Sequence, residues 1–244
     1  MRTTKKLLTR IFFFAFFLCS ITSTTFASPF NIHTVNNLDM IRDNMKFLTN
    51  KSLVVFDVDD TLIRMYGDSP YFLSIKDTVL IDETTPSLIN ELKINDVKVF
   101  ALTLCSSHYL VKTGAASRTY RFYDFRYQQL SQKKIGIDFS LPISKTLGKH
   151  FRVPTERIHG KDYAYPFIYK RIIFTNSETN KGVVLTSFLK RFKLKPDFII
   201  FVDNDFTHNM EVAMNLEPLK RNKDNPLRDY LCLHYTGAQY LPRC

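Results

Sequence analysis

The sequence predicts an α/β protein in which helices cover both faces of a parallel, Rossmann-like sheet. The first observation is a set of short apolar runs, including LVVF at 53–56 and FIIFV at 198–202, typical of strands buried on both faces. The second is that segments with helical spacing, such as NKGVVLTSFLKRF at 180–192, lie between these runs. This alternation favours a parallel sheet, because each crossover helix brings the chain back to the end of the sheet at which the previous strand began.

The remaining elements follow in chain order. A helix is predicted within residues 35–50, where apolar residues recur every three or four positions. A second helix is predicted in TTPSLINELKIND at 84–96, with Thr85 as a candidate cap and Pro86 at its first position. Further strands are predicted in VKVFALTL at 97–104, RIIFTN at 171–176 and YLCLHYTGA at 230–238, and a further helix in NMEVAMNLE at 209–217.

The first 27 residues have the layout of a secretory signal peptide. A basic start, MRTTKKLLTR, precedes the short apolar run IFFFAFFLCSI and then small residues, with a cleavage site predicted between Ala27 and Ser28. The sequence therefore predicts a periplasmic or secreted protein with no stable membrane span after cleavage, an uncleaved anchor being the alternative. Cleavage removes four basic residues and no acid, so the net charge falls from +11 to +7.

The positive charge and the cysteines narrow the function only slightly. A basic protein is suited to anionic partners such as phosphorylated substrates, lipid surfaces or nucleic acid, and equally to a solubilising surface. No motif indicates specific nucleic-acid binding. Cys105, Cys232 and Cys244 remain after cleavage, and a Cys232–Cys244 disulfide is one possibility in an oxidising compartment. The histidines show no spacing typical of metal ligands.

Carboxylates follow two of the predicted strands directly. Asp57, Asp59 and Asp60 come after LVVF, and Asp203 and Asp205 come after FIIFV. Ligands of parallel sheets bind beyond the carboxyl ends of the strands, so these acids are expected at one edge. Like charges this close repel each other unless a cation compensates them, which predicts a bound metal ion.

Two further residues extend this group. Thr103 closes the strand VFALT, and Lys181 begins a predicted helix, from which its ammonium can reach the strand ends. Four separate segments thus deliver acids, a hydroxyl and an ammonium to one edge of one sheet.

These residues resemble the motifs of the haloacid dehalogenase (HAD) superfamily of phosphohydrolases. DVDDT at 57–61 matches its DxDxT motif, and Thr103, Lys181 and DND at 203–205 are in the order of its other three motifs. The segments ALT, GIDFS, IIFTN and NKGVVLTSFL are similar to a branch of secreted bacterial HAD-like proteins whose substrate is unassigned.

The resemblance implies a role for each residue. Asp57 is the expected nucleophile, forming an aspartyl-phosphate, and Asp59 the expected general acid and base. Lys181 and Thr103 are expected to stabilise the phosphoryl oxygens. Mg²⁺ is the expected cofactor, held by Asp57, the backbone carbonyl of Asp59, and Asp203.

The fourth motif departs from the pattern of many relatives, in which the acids are adjacent. Asn204 separates Asp203 from Asp205, so either acid is a candidate for the direct metal ligand, with Asp203 favoured. Asn209 is a candidate outer ligand.

The resemblance also implies a division of the chain. Residues 28–105 and 171–244 are expected to form the HAD-like core, and residues 106–170 an inserted cap between the second and third motifs. Within the insert, SRTYRFYDFRYQQLSQKK at 117–134 alternates aromatic and basic residues. This pattern is compatible with a substrate-binding cap face or with a partly buried helix whose basic side chains extend to solvent.

The leading functional expectation is a Mg²⁺-dependent phosphomonoesterase that acts on a small phosphorylated substrate. The alternatives are a catalytically weak binding or effector protein that keeps the fold, and a phosphotransferase that passes the phosphoryl group to an acceptor other than water.

Overall fold

The structure of the protein is a computed structural model that describes residues 30–65, 78–108, 110–113, 118–135, 148–154, 164–176 and 178–240. The predicted signal peptide and Cys244 lie outside these residues, so neither the cleavage site nor the disulfide is described. No helix in the described part of the chain combines the length and apolar composition that crossing a bilayer requires.

Twelve strands are present in the described residues. They are β1 Ile32–Val35, β2 Leu53–Phe56, β3 Ile63–Met65, β4 Thr78–Leu80, β5 Lys98–Thr103, β6 Leu110–Thr113, β7 Arg118–Arg121, β8 Lys149–His150, β9 Phe167–Tyr169, β10 Ile172–Phe174, β11 Phe198–Asp203 and β12 Asp229–Tyr235. Eight form the central sheet in the order β1–β12–β11–β2–β5–β10–β9–β8. The first six of these pair in parallel, whereas β9 and β8 are antiparallel. The predicted α/β class with a mostly parallel sheet is confirmed.

Five α-helices accompany the strands in the described ranges. They are α1 Asp39–Asp43, α2 Thr85–Ile94, α3 Phe122–Gln132, α4 Lys181–Arg191 and α5 Phe206–Arg221. The helix predicted within residues 35–50 is much shorter than expected. It ends where the Asn44 side chain donates to the carbonyl of Met40 at 2.8 Å, and a 3₁₀ turn follows. Helix α2 begins at Thr85 itself, so Thr84 and not Thr85 occupies the cap position.

Successive side chains of each strand point to opposite faces of the sheet, so the core is divided into two apolar clusters. Val54 and Phe56 of β2 face a cluster that includes residues of α1, α2 and α3. Leu53 and Val55 face the opposite cluster, which includes residues of α4 and α5. Both faces of the sheet are therefore covered, which explains why β2 is wholly apolar.

Part of the predicted insert is joined to the central sheet. Strands β8 and β9 extend its edge, and α3 packs in the same apolar cluster as α2. A tight hairpin connects β9 to β10, with Lys170 and Arg171 at φ values of 42° and 66°. Two successive residues with positive φ give a turn whose twist matches that of the paired strands.

The amino ends of three strands are tied together by Asp197, just before β11. Its carboxylate accepts hydrogen bonds from Ser52 and Thr49, each at 2.9 Å, and from Arg228 at 2.8 Å. Burial acts to raise the pKa of Asp197, but these hydrogen bonds outweigh it and hold that pKa below its ordinary value. The ionised carboxylate therefore stabilises the junction of β2, β11 and β12.

We predict that Asp197→Asn lowers the free energy of unfolding at pH 7 by about 1–3 kcal/mol, because it removes charged hydrogen bonds. A carboxyl with a lowered pKa stabilises the fold above its unfolded pKa, so the difference from wild type should shrink as the pH falls below about 4. Urea denaturation at several pH values measures this. The exposed Asp224→Asn is the matched control, and a pH-independent loss in Asp197→Asn contradicts the prediction.

Candidate functional site

The proposed site residues lie at the carboxyl ends of three neighbouring strands. Asp57 follows β2 directly, Asp203 ends β11, and Thr103 ends β5. Strand β2 lies between the other two, and the backbone amide of Asp57 donates to the carbonyl of Val202 at 2.8 Å. The sheet register alone therefore brings the three predicted segments to one edge.

Lys181 connects two of these acids. Its ammonium donates to Asp57 Oδ1 at 2.5 Å and to Asp203 Oδ2 at 2.7 Å. The side chains of Lys181, Asp57 and Asp203 are 1%, 6% and 0% exposed, so water screens the three charges weakly. The structure thus brings together three of the predicted residues in one buried cluster.

Burial dominates the ionisation of this cluster. It raises the pKa of Asp57 to about 7, and the charge of Asp203 adds to the effect while Lys181 opposes it. Burial also acts to lower the pKa of Lys181, but Asp57 and Asp203 together raise it, so the lysine stays charged. Two carboxyl groups thus share the single ammonium of Lys181.

The start of α4 fixes the position of Lys181. The side chain of Asn180 caps the helix by accepting a hydrogen bond from Val183 N at 2.9 Å. Gly182 lets the helix approach α5 closely, because a Cβ at this position lies 2.2 Å from the carbonyl oxygen of Glu211. The backbone amide of Lys181 also donates to the Glu211 carboxylate at 3.1 Å.

Asp59 has a different environment. Its carboxylate is 45% exposed and accepts from the guanidinium of Arg126, whose Nη2 lies 2.7 Å from Oδ1 and 2.9 Å from Oδ2. The Thr103 hydroxyl, expected to contact a phosphoryl group, here donates to Asp59 Oδ2 at 3.2 Å. The Cys105 thiol lies 3.6 Å from the same oxygen, and burial and the Asp59 charge raise its pKa. Cys105 therefore borders the site as a protonated thiol.

We did not predict Arg126 as a site residue from the sequence. Its side chain is 1% exposed and comes from α3, inside the predicted insert. The helical stripe of Phe122, Phe125 and Gln129 includes position 126 at the spacing of one helix face. An arginine on a buried stripe needs an anionic partner, and this signal was available in the sequence.

The two acids of the fourth motif have different roles in the structure. Asp203 is buried against Lys181, whereas Asp205 is exposed and caps α5 by accepting from Thr207 N at 2.7 Å. Asn209 donates to the backbone carbonyls of Asp203 and Asp205. Its Oδ1 is buried and has no hydrogen-bond partner among the described residues. Asn209 thus braces the loop that carries Asp203.

The donor chemistry of the buried cluster fits a hard divalent cation. Within the described ranges, no three side chains of Asp, Glu, His or Cys form a metal-binding group. The expected ligand set needs only the carboxylates of Asp57 and Asp203 and one backbone carbonyl, and Mg²⁺ often takes one or two carboxylates and keeps several waters. Because two carboxyl groups share one ammonium in this cluster, a bound cation would relieve the remaining repulsion between them.

Two histidine contacts were not expected from spacing, and one of them lies at the site. His208 Nδ1 lies 3.4 Å from Asp203 Oδ1, and this contact raises the pKa of His208 against the opposing effect of burial. His108, which follows β5, stacks on His150 with 3.2 Å between the two Nε2 atoms. His108 and His150 are distant in sequence and meet only in the fold, whereas His208 lies five residues from Asp203.

The fold and site together define an α/β protein with a buried carboxylate–lysine cluster at the carboxyl edge of a mostly parallel sheet. The chain belongs to the family described as "Protein of unknown function (DUF2608)", whose model matches residues 64–242. That span includes Thr103, Lys181 and Asp203 and begins after Asp57 and Asp59. Searches of curated proteins and of solved structures gave no match.

We predict that Gly182→Ala destabilises the protein by about 1–3 kcal/mol, even though alanine favours helix formation, because its Cβ collides with the backbone of α5. The displaced α4 also moves Lys181 away from the two carboxylates. Thermal or urea unfolding measures the loss. Ser187→Ala on the same helix is the control that adds helix propensity without a clash, and equal stabilities of the two variants contradict the prediction.

Proposed function

We propose that this protein is a divergent member of the HAD superfamily that hydrolyses phosphate monoesters with Mg²⁺. The observation that carries the proposal is the bridge from Lys181 to both Asp57 and Asp203 at the carboxyl ends of β2 and β11. Four motif segments that are distant in sequence meet at this edge, the first supplying an acid and an acid–base group and the others a hydroxyl, an ammonium and a second acid. Such convergence of reactive groups supports catalysis better than any single motif does.

Each residue has a step that its position suits. An oxygen of Asp57 attacks phosphorus, and Lys181, itself held by Asp203, keeps that carboxylate in place. Asp59, two residues further on and half-exposed, protonates the leaving oxygen and later takes a proton from the attacking water. Lys181 offsets the negative charge that the phosphoryl group brings into the site. Asp57, the Asp59 carbonyl and Asp203 would hold Mg²⁺, which would offset the negative charge of the phosphoryl oxygens.

Residues 106–170 are proposed to cover the site and to select a small phosphorylated substrate. Support comes from α3, which lies in this segment and brings Arg126 to Asp59. A periplasmic or secreted location also remains a proposal, and it rests on the signal-like pattern of residues 1–27.

A non-catalytic binding role is the second candidate. The interrupted DND motif favours it, because Asn204 separates the two acids that are adjacent in many relatives. Phosphotransfer to an acceptor other than water is distinguished from hydrolysis by adding an alcohol and measuring the partition of product.

We predict that the purified protein hydrolyses 4-nitrophenyl phosphate when MgCl₂ is present and that Asp57→Asn lowers kcat by at least about a hundredfold, because the amide is a poor nucleophile. Release of nitrophenolate is the measurement. Asp224→Asn, an exposed Asp-to-Asn change outside the site, should keep wild-type kcat. Activity that survives in Asp57→Asn excludes the covalent mechanism, and wild-type inactivity across a panel of phosphate esters favours the binding role.

We further predict that Asp203→Asn weakens Mg²⁺ binding at least about tenfold, whereas Asp205→Asn leaves it within about twofold. The reason is that Asp203 lies in the buried cluster, while Asp205 caps α5 and asparagine is an equally good cap. Titration calorimetry with MgCl₂ compares the two variants. The reverse order of affinities identifies Asp205 as the ligand and contradicts the assignment.

A further inference from the structure

The ion pair between Arg126 and Asp59 is more constrained than an ordinary surface salt bridge. The guanidinium is 1% exposed, its Nη2 contacts both oxygens of Asp59, and its Cζ lies 5.0 Å from the ring centre of Phe122. In the described part of the chain, Arg126 forms an ion pair with no other carboxylate. A buried guanidinium with one anionic partner holds that partner in a fixed place.

The other side chains that contact Asp59 also donate toward its carboxylate. The Thr103 hydroxyl donates to Oδ2 at 3.2 Å, and the Cys105 thiol lies 3.6 Å from it. Each of these side-chain groups donates toward the carboxylate, so both oxygens of Asp59 are held in place by contacts. A carboxylate fixed in this way keeps its place after the leaving group has departed, when the proposed reaction next needs a base for water.

We propose that Arg126 is a positioning residue that holds Asp59 as the base for breakdown of the aspartyl-phosphate. This inference rests on the proposed phosphatase function. In this step the oxygen of a water attacks phosphorus and one water proton passes to Asp59. The bond between phosphorus and the Asp57 oxygen breaks, its electron pair returns to the Asp57 carboxylate, and inorganic phosphate leaves. Helix α3 of the insert thereby takes part in turnover through a single side chain.

The proposed reaction has two half-reactions. A substrate with a good leaving group allows the rate of each to be measured separately. Nitrophenolate needs little protonation to depart, so formation of the aspartyl-phosphate from 4-nitrophenyl phosphate depends weakly on Asp59. Breakdown of the aspartyl-phosphate depends fully on Asp59. Loss of Arg126 should therefore slow the second step and leave the first nearly unchanged.

The test is rapid-mixing kinetics with 4-nitrophenyl phosphate and MgCl₂ on wild type, Arg126→Met and Arg126→Lys. We expect Arg126→Met to release about one nitrophenolate per protein in a fast burst and then turn over about tenfold or more slowly. Arg126→Lys, which keeps a cation, should recover part of the steady-state rate. Asp59→Asn should show the same burst, and adding Arg126→Met to it should slow turnover little further, because the two residues act as a unit.

Arg121→Met is the matched control, because Arg121 is an exposed arginine just before the same helix. It should behave as wild type. An Arg126→Met protein that lacks a burst and loses both steps equally overturns the positioning role while the phosphatase function stands. If Arg126→Met does not fold, the comparison of wild type with Arg126→Lys and Asp59→Asn decides in the same way. A wild-type protein without any hydrolysis overturns the proposed function and this inference together.

Discussion

The structure depends on one buried electrostatic arrangement, in which the ammonium of Lys181 lies between the carboxylates of Asp57 and Asp203. These groups are almost wholly removed from water, so each charge is tolerated only because the others are present. Removing one partner of such a buried set typically costs about 3–5 kcal/mol, since the remaining charges lose their compensation. Because these charges are weakly solvated, they would respond strongly to an incoming charge.

The rest of the fold serves to hold this arrangement. The parallel register of β2 and β11 sets the spacing of the two acids, and the cap at Asn180 sets where α4 begins. Close packing at Gly182 presses that helix against α5, which itself begins after Asp205. At the opposite end of the strands, Asp197 ties together the segments that enter β2, β11 and β12. The site is thus supported by contacts at both ends of the sheet.

The insert is coupled to the site and to the sheet at once. Its strands β8 and β9 extend the sheet edge, and its helix α3 carries Arg126 to Asp59. Helix α3 therefore has one face in the core and one buried side chain at Asp59. For the Arg- and Tyr-rich stretch, the structure shows a partly buried helix, in which Arg126 is buried rather than extended to solvent.

The sequence by itself determined the α/β class, the strands that carry the acids, and the place of Asp57, Thr103, Lys181 and Asp203 at one sheet edge. It could do so because burial on both faces leaves an apolar run, and because carboxyl ends of parallel strands share an edge. The short length of α1 was not predicted. The apolar periodicity indicated a longer helix, but a hydrogen bond from the Asn44 side chain to the backbone ends it. Tertiary structure alone decided that Arg126 pairs with Asp59, that Asp203 rather than Asp205 meets Lys181, and that β8 and β9 join the sheet. Those outcomes depend on which surfaces meet in space, and a linear pattern records the burial of a side chain but not the identity of its partner.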